Sequence, residues 1–208
     1  MPPIQSIPFR TSVPTRKTWV SVKAQWWSYR ADLRDDFNKR CWYCDDTDSF
    51  RTISFAIDHF IPRNPKGWTH TILPNHYSNL VYSCHFCNSA KSNKWPTRNP
   101  AIYHNWLDGF VDPTTAEYDT LFYRNKNWII LKTGNWPSSY MHRELNLWLP
   151  IHSITWMLEK MINMIQELDN LIPNITDPTL KAELEEHSWE LQKFAFRLTH
   201  NWIFRQND

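Results

Sequence analysis

Four cysteines, grouped as two C-x-x-C pairs, have the most specific chemical spacing in this 208-residue sequence. The pairs are Cys41/Cys44 and Cys84/Cys87, and they account for every cysteine of the chain. A C-x-x-C turn brings two sulfurs to one ion, and two such turns complete a tetrahedron with Zn–S bonds of about 2.3 Å. Because four thiolates leave no open coordination position, the spacing predicts a structural zinc at these four residues.

Two disulfides are the alternative use of the same cysteines, and they are typical of small secreted domains. The first residues, MPPIQSIPFRTSVPTRK, lack the apolar core of a signal peptide, which favours zinc and a cytoplasmic location. No apolar run approaches the roughly 20 residues that span a bilayer, so we expect no membrane contact.

A carboxylate, an imidazole and a carboxamide lie close to the cysteines in the sequence. FAIDHFIPR predicts a strand that ends at Asp58-His59, because Pro62 stops regular pairing. After the second pair, NSAKSNKW predicts a helix that begins near Asn88, with free N–H groups suited to an anion. The oxygens of Asp58 and Asn88 suit Mg²⁺ or Mn²⁺. His59, with a pKa near neutral, is suited to take a proton from an attacking water.

These residues together resemble the HNH endonuclease family. The pattern is C-x-x-C, then Asp58-His59-x-x-Pro62, then Asn79-Leu80-Val81, then Cys84-x-x-Cys87-Asn88-x-x-Lys91. It lies within the stretch Cys41–Lys94, about a quarter of the chain. The resemblance implies a β-hairpin followed by a helix that together hold one catalytic metal, the ββα-metal fold.

The resemblance also implies a role for each matching residue. His59 stands at the position of the general base, Asp58 at the metal-binding acidic position, and Asn79 at the position that braces the loop carrying the base. Asn88 stands at the final position, the second metal ligand, where Asn in place of His favours Mg²⁺ or Mn²⁺ over softer ions. Three basic residues are predicted to contact nucleic acid: Lys91, Lys94 and Arg63.

A zinc-stabilised nucleic-acid-binding or scaffold module without catalysis is the alternative function. In that case Asp58 is a turn residue and His59 a surface histidine, but such a module does not need Asp58, His59 and Asn88 together. The sequence therefore predicts a metal-dependent endonuclease acting on DNA, with an RNA-cleaving HNH enzyme as a further alternative. The net charge of +2 is too small to identify a nucleic-acid partner.

The regions around the motif predict an α+β fold with four segments. Residues 1–14 are rich in proline and predict an extended arm. Residues 15–100 contain an N-terminal helix, predicted over Arg16–Arg40 from apolar residues at helical spacing, and the HNH core. Residues 101–147 predict a small subdomain with a strand over Trp128–Leu131.

Residues 148–208 predict an antiparallel helical hairpin. Apolar residues step by threes and fours up to Pro173, and Asp177-Pro178 offers a cap and first residue for the second helix. The apolar stripes predict either core packing or a surface for self-association or a partner. Resemblance to HNH effectors of bacterial anti-phage defence and restriction implies that the partner is an ATPase or sensor subunit.

Overall fold

The computed structural model of the protein describes residues 6–10, 12–50, 55–105 and 107–204. The chain divides into two compact units, Met1–His152 and Ser153–Asp208. The elements of the first unit are β1 (Ile7–Pro8), α1 (Arg30–Asp36), β2 (Phe55–His59), β3 (Leu80–Cys84), α2 (His85–Lys91), α3 (Ala116–Asp119), β4 (Phe122–Arg124), β5 (Ile130–Lys132) and α4 (Ser138–Glu144). This mixture of helices and strands confirms the predicted α+β class.

The N-terminal helix is shorter than the prediction for Arg16–Arg40. It consists of one 3-10 turn, Trp26–Tyr29, followed by α1. The backbone before it follows a non-helical path because its N–H groups have other partners. The N–H of Lys17 donates to Oδ2 of Asp36 (2.9 Å), and the N–H of Lys23 donates to the Tyr29 hydroxyl (2.7 Å).

The centre of the first unit is the antiparallel pair of β2 and β3. Asp58 lies opposite Val81 and His59 opposite Leu80. All five residues of β3, LVYSC, are buried, and four of them are hydrophobic, as is typical of a strand covered on both faces. α2 follows β3 directly and packs against both strands. Two strands and one helix therefore form the ββα arrangement that the resemblance implied.

Helix α2 begins at His85, three residues before the start predicted at Asn88. Cys84 ends β3 in an extended conformation, with φ −70° and ψ 157°, and is the N-cap of the helix. The thiols of Cys84 and Cys87 lie close together, so the chain between them must turn at once, and this turn is the first turn of α2. The predicted start is therefore wrong. The N–H of Asn88 is not among the free groups of the helix N-terminus.

The other sheet of the first unit has the strand order β1-β4-β5, with antiparallel pairing throughout. Arg124 of β4 is buried and donates to the carbonyl oxygens of Phe9 (2.9 Å) and Cys44 (2.7 Å). The bond to Cys44 connects the sheet to the first cysteine pair. Residues 101–147 are consequently built into the first unit.

The remaining helices are α5 (Pro150–Leu171) and α6 (Pro178–Leu198), with a 3-10 turn after α5 (Ile172–Asn174) and a π-helical turn after α6 (Thr199–Phe204). The first three residues of α5 belong to the first unit. Asp177 caps α6 as predicted, because its side chain accepts from the N–H groups of Thr179 (2.9 Å) and Leu180 (3.3 Å). The predicted C-terminal pair of helices is confirmed.

The apolar side chains of α6 lie largely on the surface. Within the described part of this helix only Ser188 and Ala195 are buried. Trp189 and Phe196 are exposed over 59% and 72% of their surface. Across the described ranges of the chain, no helix combines the length and the apolar character needed to cross a membrane.

Candidate active site and metal centre

The two C-x-x-C pairs meet in the interior of the first unit. All four cysteines are buried and free of disulfides, and their sulfurs lie within 4.8 Å of one another. The sulfurs of Cys44 and Cys84 are 3.7 Å apart. A tetrahedral zinc with bonds of about 2.3 Å has an S···S edge of about 3.8 Å, so this pair already has the spacing of two zinc ligands. The four cysteines can therefore hold one metal ion, as predicted.

Burial and mutual hydrogen bonds shift the pKa values of these thiols. Burial raises the pKa of Cys44 and Cys87 well above its usual range. At Cys41 burial acts in the same direction, but hydrogen bonds from the other three thiols outweigh it and lower the pKa. A bound divalent ion would favour the thiolate form of all four, because a coordinating thiol is deprotonated outright.

The backbone of the first cysteine pair is closed by local hydrogen bonds. The N–H of Cys41 donates to the carbonyl of Asp46 (2.8 Å), and the N–H of Asp45 donates to the carbonyl of Cys41 (2.9 Å). Asp45 has a positive φ of 62°, which Asp tolerates better than most residues. This tight turn points the two thiols in one direction.

His59 lies at the end of β2 with one ring nitrogen already bonded. Its Nε2 is 2.8 Å from the carbonyl oxygen of Pro74. A carbonyl only accepts, so Nε2 carries the hydrogen, and in the neutral ring Nδ1 holds the lone pair. Burial lowers the pKa of His59 below its ordinary value of 6.5; the bond to Pro74 and the charge of Asp58 oppose this shift, and the charges of Arg63 and Lys91 add to it. The imidazole is therefore neutral at pH 7, as a general base requires.

Asp58, the residue before His59, is buried against two hydrogen-bond donors. Its Oδ2 accepts from the Tyr43 hydroxyl (2.8 Å) and lies 3.1 Å from the ammonium of Lys91. Because both contacts use Oδ2, the other oxygen, Oδ1, is the one that can bind a cation. Tyr43 was not predicted as a site residue, and its place within the first C-x-x-C pair gave no signal for this role.

Lys91 is completely buried, which differs from the solvent-facing place that a nucleic-acid contact requires. Its ammonium donates to the carbonyl of His59 (2.9 Å) as well as pairing with Asp58. Burial lowers the pKa of Lys91, and the charge of Asp58 opposes this shift. Lys91 thus fixes both Asp58 and the backbone of His59. The burial of Lys91 and its two protein partners do not support the predicted contact with phosphate.

Asn79 braces the segment that follows His59. Its side-chain oxygen accepts from the N–H of Ile61 (2.8 Å), and its side-chain nitrogen donates to the carbonyl of Ile61 (2.9 Å). The carbonyl of Asn79 also accepts from the N–H of Phe60 (2.8 Å). Three hydrogen bonds therefore hold the backbone just beyond the imidazole.

The other predicted residues lie on α2 or beside it. Asn88 is the fourth residue of α2 and is partly exposed, on a helix that packs against β2. Arg63 is exposed, four residues after His59. Lys94 is partly exposed, and its ammonium lies 2.7 Å from a carboxylate oxygen of Glu144. Of the three predicted nucleic-acid contacts, Arg63 is the exposed one.

Comparison with known proteins gives one family. Residues 41–94 match the model of the HNH endonuclease family, about a quarter of the chain. No curated protein and no solved structure matches the chain. The matched stretch runs from the first cysteine to Lys94, so it contains both cysteine pairs, β2, β3, α2 and the residues around His59. Residues 41–94 of this chain are therefore a domain of the HNH endonuclease family.

Proposed function

We propose that the chain is a metal-dependent endonuclease that hydrolyses phosphodiester bonds in DNA. The observation that carries this proposal is the state of His59. Its Nε2–H is bonded to Pro74, its pKa is lowered, and it directly follows the buried Asp58 at the end of β2. A module that only binds nucleic acid has no need of a neutral, oriented imidazole next to a buried carboxylate.

In the proposed reaction Nδ1 of His59 accepts the proton of the attacking water. Pro74 fixes the ring through Nε2, so that Nδ1 keeps its lone pair. Lys91 holds the His59 carbonyl and Asn79 holds Ile61, so the backbone is fixed on both sides of the ring. This rigidity keeps the base at one position relative to a bound phosphate.

The catalytic ion is proposed to bind to Asp58 and Asn88. A carboxylate and a carboxamide are hard oxygen donors, which fit Mg²⁺ or Mn²⁺. Lys91 and Tyr43 hold Asp58 through Oδ2, and this leaves Oδ1 for the ion. The ion would supply positive charge for the phosphate and the leaving oxygen. Because Lys91 already balances the charge of Asp58, we expect weaker ion binding than at an unpaired carboxylate.

The four cysteines are proposed to hold zinc with a structural role. All are buried, and their sulfurs are close enough to surround one ion. Four thiolates form a closed ligand set without a position for substrate, as in structural zinc sites.

The biological setting proposed from the family resemblance is a bacterial defence or restriction system. We further propose that the exposed apolar face of α6, including Trp189 and Phe196, contacts an ATPase or sensor subunit or a second copy of the chain. Exposed aromatic side chains of this size are enriched in protein interfaces. In this proposal the partner supplies the choice of target.

The test is a cleavage assay with plasmid DNA, single-stranded DNA and tRNA, each with and without Mg²⁺. We expect wild-type protein to cleave DNA only with the ion. His59→Ala should lower the rate by about 10²–10⁴ while folding is unchanged. Asn88→Ala should also lose activity but keep zinc. His187→Ala, at an exposed position of α6, is the matched control and should retain full rate.

Each substrate distinguishes one alternative. Cleavage of tRNA alone would replace DNA by RNA as the substrate. Binding of DNA without cleavage under any ion would favour the non-catalytic module. Full activity of His59→Ala would remove this residue from the role of base.

A further inference from the structure

A second group of metal-binding side chains overlaps the four-cysteine centre. It consists of Cys44, Asp46, Cys84 and His152, and one donor atom of each lies within 4.8 Å of the other three. All four residues are buried. His152 lies at the start of α5, beyond the residues that match the HNH family. The family match therefore assigns it no role.

Asp46 orients the imidazole of His152. Nδ1 of His152 is 2.7 Å from Oδ2 of Asp46, although the two residues are 106 positions apart. The N–H of His152 donates to the carbonyl of Leu149 (3.1 Å), and the ring of Phe86 contacts the imidazole nearly at right angles, with centroids 6.2 Å apart. The carbonyl of Asp46 also accepts from the N–H of Cys41, so one residue connects the first cysteine pair to His152.

The other ring nitrogen of His152, Nε2, is left without a hydrogen-bond partner in the described part of the chain. A carboxylate accepts, so Nδ1 carries the hydrogen, and in the neutral ring Nε2 holds the lone pair. Nε2 is buried and has no hydrogen-bond partner within the described part of the chain. A buried polar atom without a partner is costly, unless it binds something that the protein takes up. A histidine that gives its other N–H to a carboxylate has the arrangement of metal-ligating histidines.

We propose that His152, oriented by Asp46, is a fifth donor of the four-cysteine centre. The imidazole can take the place of Cys44 or Cys84, which gives a set of three cysteines and one histidine. Such Cys₃His sets are common in structural zinc sites. Nδ1 of His152 and Oδ2 of Asp46 are not both expected to bind the ion, because they lie 2.7 Å apart and are hydrogen-bonded to each other. We therefore assign the donor to Nε2, the ring nitrogen without a hydrogen-bond partner in the described part of the chain.

The fifth donor has a kinetic consequence. Release of the ion requires the thiolates to dissociate one after another, and an imidazole next to Cys44 and Cys84 recaptures the ion when either of them leaves. The inference rests on metal binding by the cysteines and not on nuclease activity.

The first experiment measures transfer of zinc from the full-length, zinc-loaded protein to excess chelator. His152→Gln retains all four cysteines and can still donate to Asp46, but it has no imidazole. We expect zinc release from this variant to be about 10-fold faster than from wild type, the size typical for loss of a residue that supports a metal site. His142→Gln is the control, because Nε2 of His142 donates to the carbonyl of Ile130 (2.9 Å) in the same unit. Its release rate should equal that of wild type.

The second experiment uses Co²⁺, whose visible spectrum distinguishes four sulfur ligands from three sulfurs and one nitrogen. Cys44→Ser should keep about one ion per chain with the spectrum of the mixed set, and Cys44→Ser combined with His152→Gln should lose it. Cys41→Ser, which removes a cysteine outside the second group, should lose the ion by itself.

The outcomes separate the two proposals. If wild type and His152→Gln both bind zinc and release it at equal rates, the fifth donor is overturned, but the four-cysteine site is not. Loss of Co²⁺ from Cys44→Ser as complete as from Cys41→Ser also overturns it. A wild-type chain that binds no zinc overturns both proposals.

Discussion

The HNH domain and helix α6 place their polar and apolar groups in opposite ways. In the domain, the charged and amide side chains of Asp58, Lys91 and Asn79 are buried, and each has a partner inside the protein. In α6, large aromatic side chains such as Trp189 and Phe196 are exposed instead. The domain thus fixes its own geometry through internal polar contacts, whereas α6 leaves large aromatic side chains on the surface.

The largest effect should come from removing one thiol. Cys87→Ser deletes a donor of the four-cysteine centre, and structural zinc contributes folding energy outright. We expect loss of zinc and loss of the cooperative thermal transition of the first unit, measured by elemental analysis and a thermal melt. Ser188→Ala, a buried hydroxyl of α6, is the control in the other region and should retain the zinc. If Cys87→Ser keeps its zinc content and its melting temperature, the proposed four-cysteine metal centre is contradicted.

The next effect compares two ion pairs of different burial. Lys91→Met leaves the buried carboxylate of Asp58 without its cation, and breaking such a pair typically costs about 3–5 kcal/mol of unfolding free energy. Lys193→Met removes the ammonium from its exposed pair with Glu190, where the expected change lies within about 1 kcal/mol. Urea unfolding of both variants measures the difference. Equal losses would show that burial does not distinguish the two regions.

The pH dependence of cleavage reports on His59. A base is active in its unprotonated form, and burial lowers the pKa of His59 from 6.5. The rate should therefore begin to decrease at a lower pH than it would for a base with the ordinary pKa of 6.5, and it should fall by about tenfold per unit once the pH lies below the pKa. A decrease that begins above pH 7 would contradict the assigned environment of the imidazole.

Local spacing in the sequence was sufficient for several parts of this structure. The C-x-x-C pairs predicted the thiol cluster, and Pro62 together with Asp58-His59 predicted the end of β2. Asp177-Pro178 predicted the start of α6. In each case the physical cause lies within a few residues of the feature: ligand spacing, a missing N–H, or a side chain that caps the next turn.

The features that the sequence did not predict depend on distant partners. The N-terminal helix is short because Lys17 bonds to Asp36 instead of to its own helical turn. The buried place of Lys91 at the end of α2 depends on its ion pair with Asp58, which lies on β2. The contact between His152 and Asp46 joins residues 106 positions apart. Periodicity describes the face of one element, but it carries no information on which distant group that face will meet.

A smaller effect is expected at the start of α6. Asp177→Ala removes the side chain that accepts from two N–H groups of the first turn. Loss of such a cap typically costs about 1 kcal/mol. Helix content at rising temperature should show earlier fraying of α6, while Asp177→Asn, which keeps an acceptor, should resemble wild type. Equal behaviour of the two variants would mean that the cap does not stabilise α6.

The smallest effect on stability is expected at the exposed aromatic face itself. Trp189 contacts the ammonium of Lys193, and Phe196 stacks on His200, and both rings are exposed over more than half of their surface. Trp189→Ala combined with Phe196→Ala should therefore change the unfolding free energy by only about 0.5 kcal/mol, as is usual for surface positions. Light scattering of the wild type and the double variant then measures what the face contacts in solution. If the face contacts a second copy of the chain, the variant should have the lower mass at equal concentration. A loss above about 2 kcal/mol would show that these rings are part of the chain's own packing, and the contrast between the two regions would no longer hold.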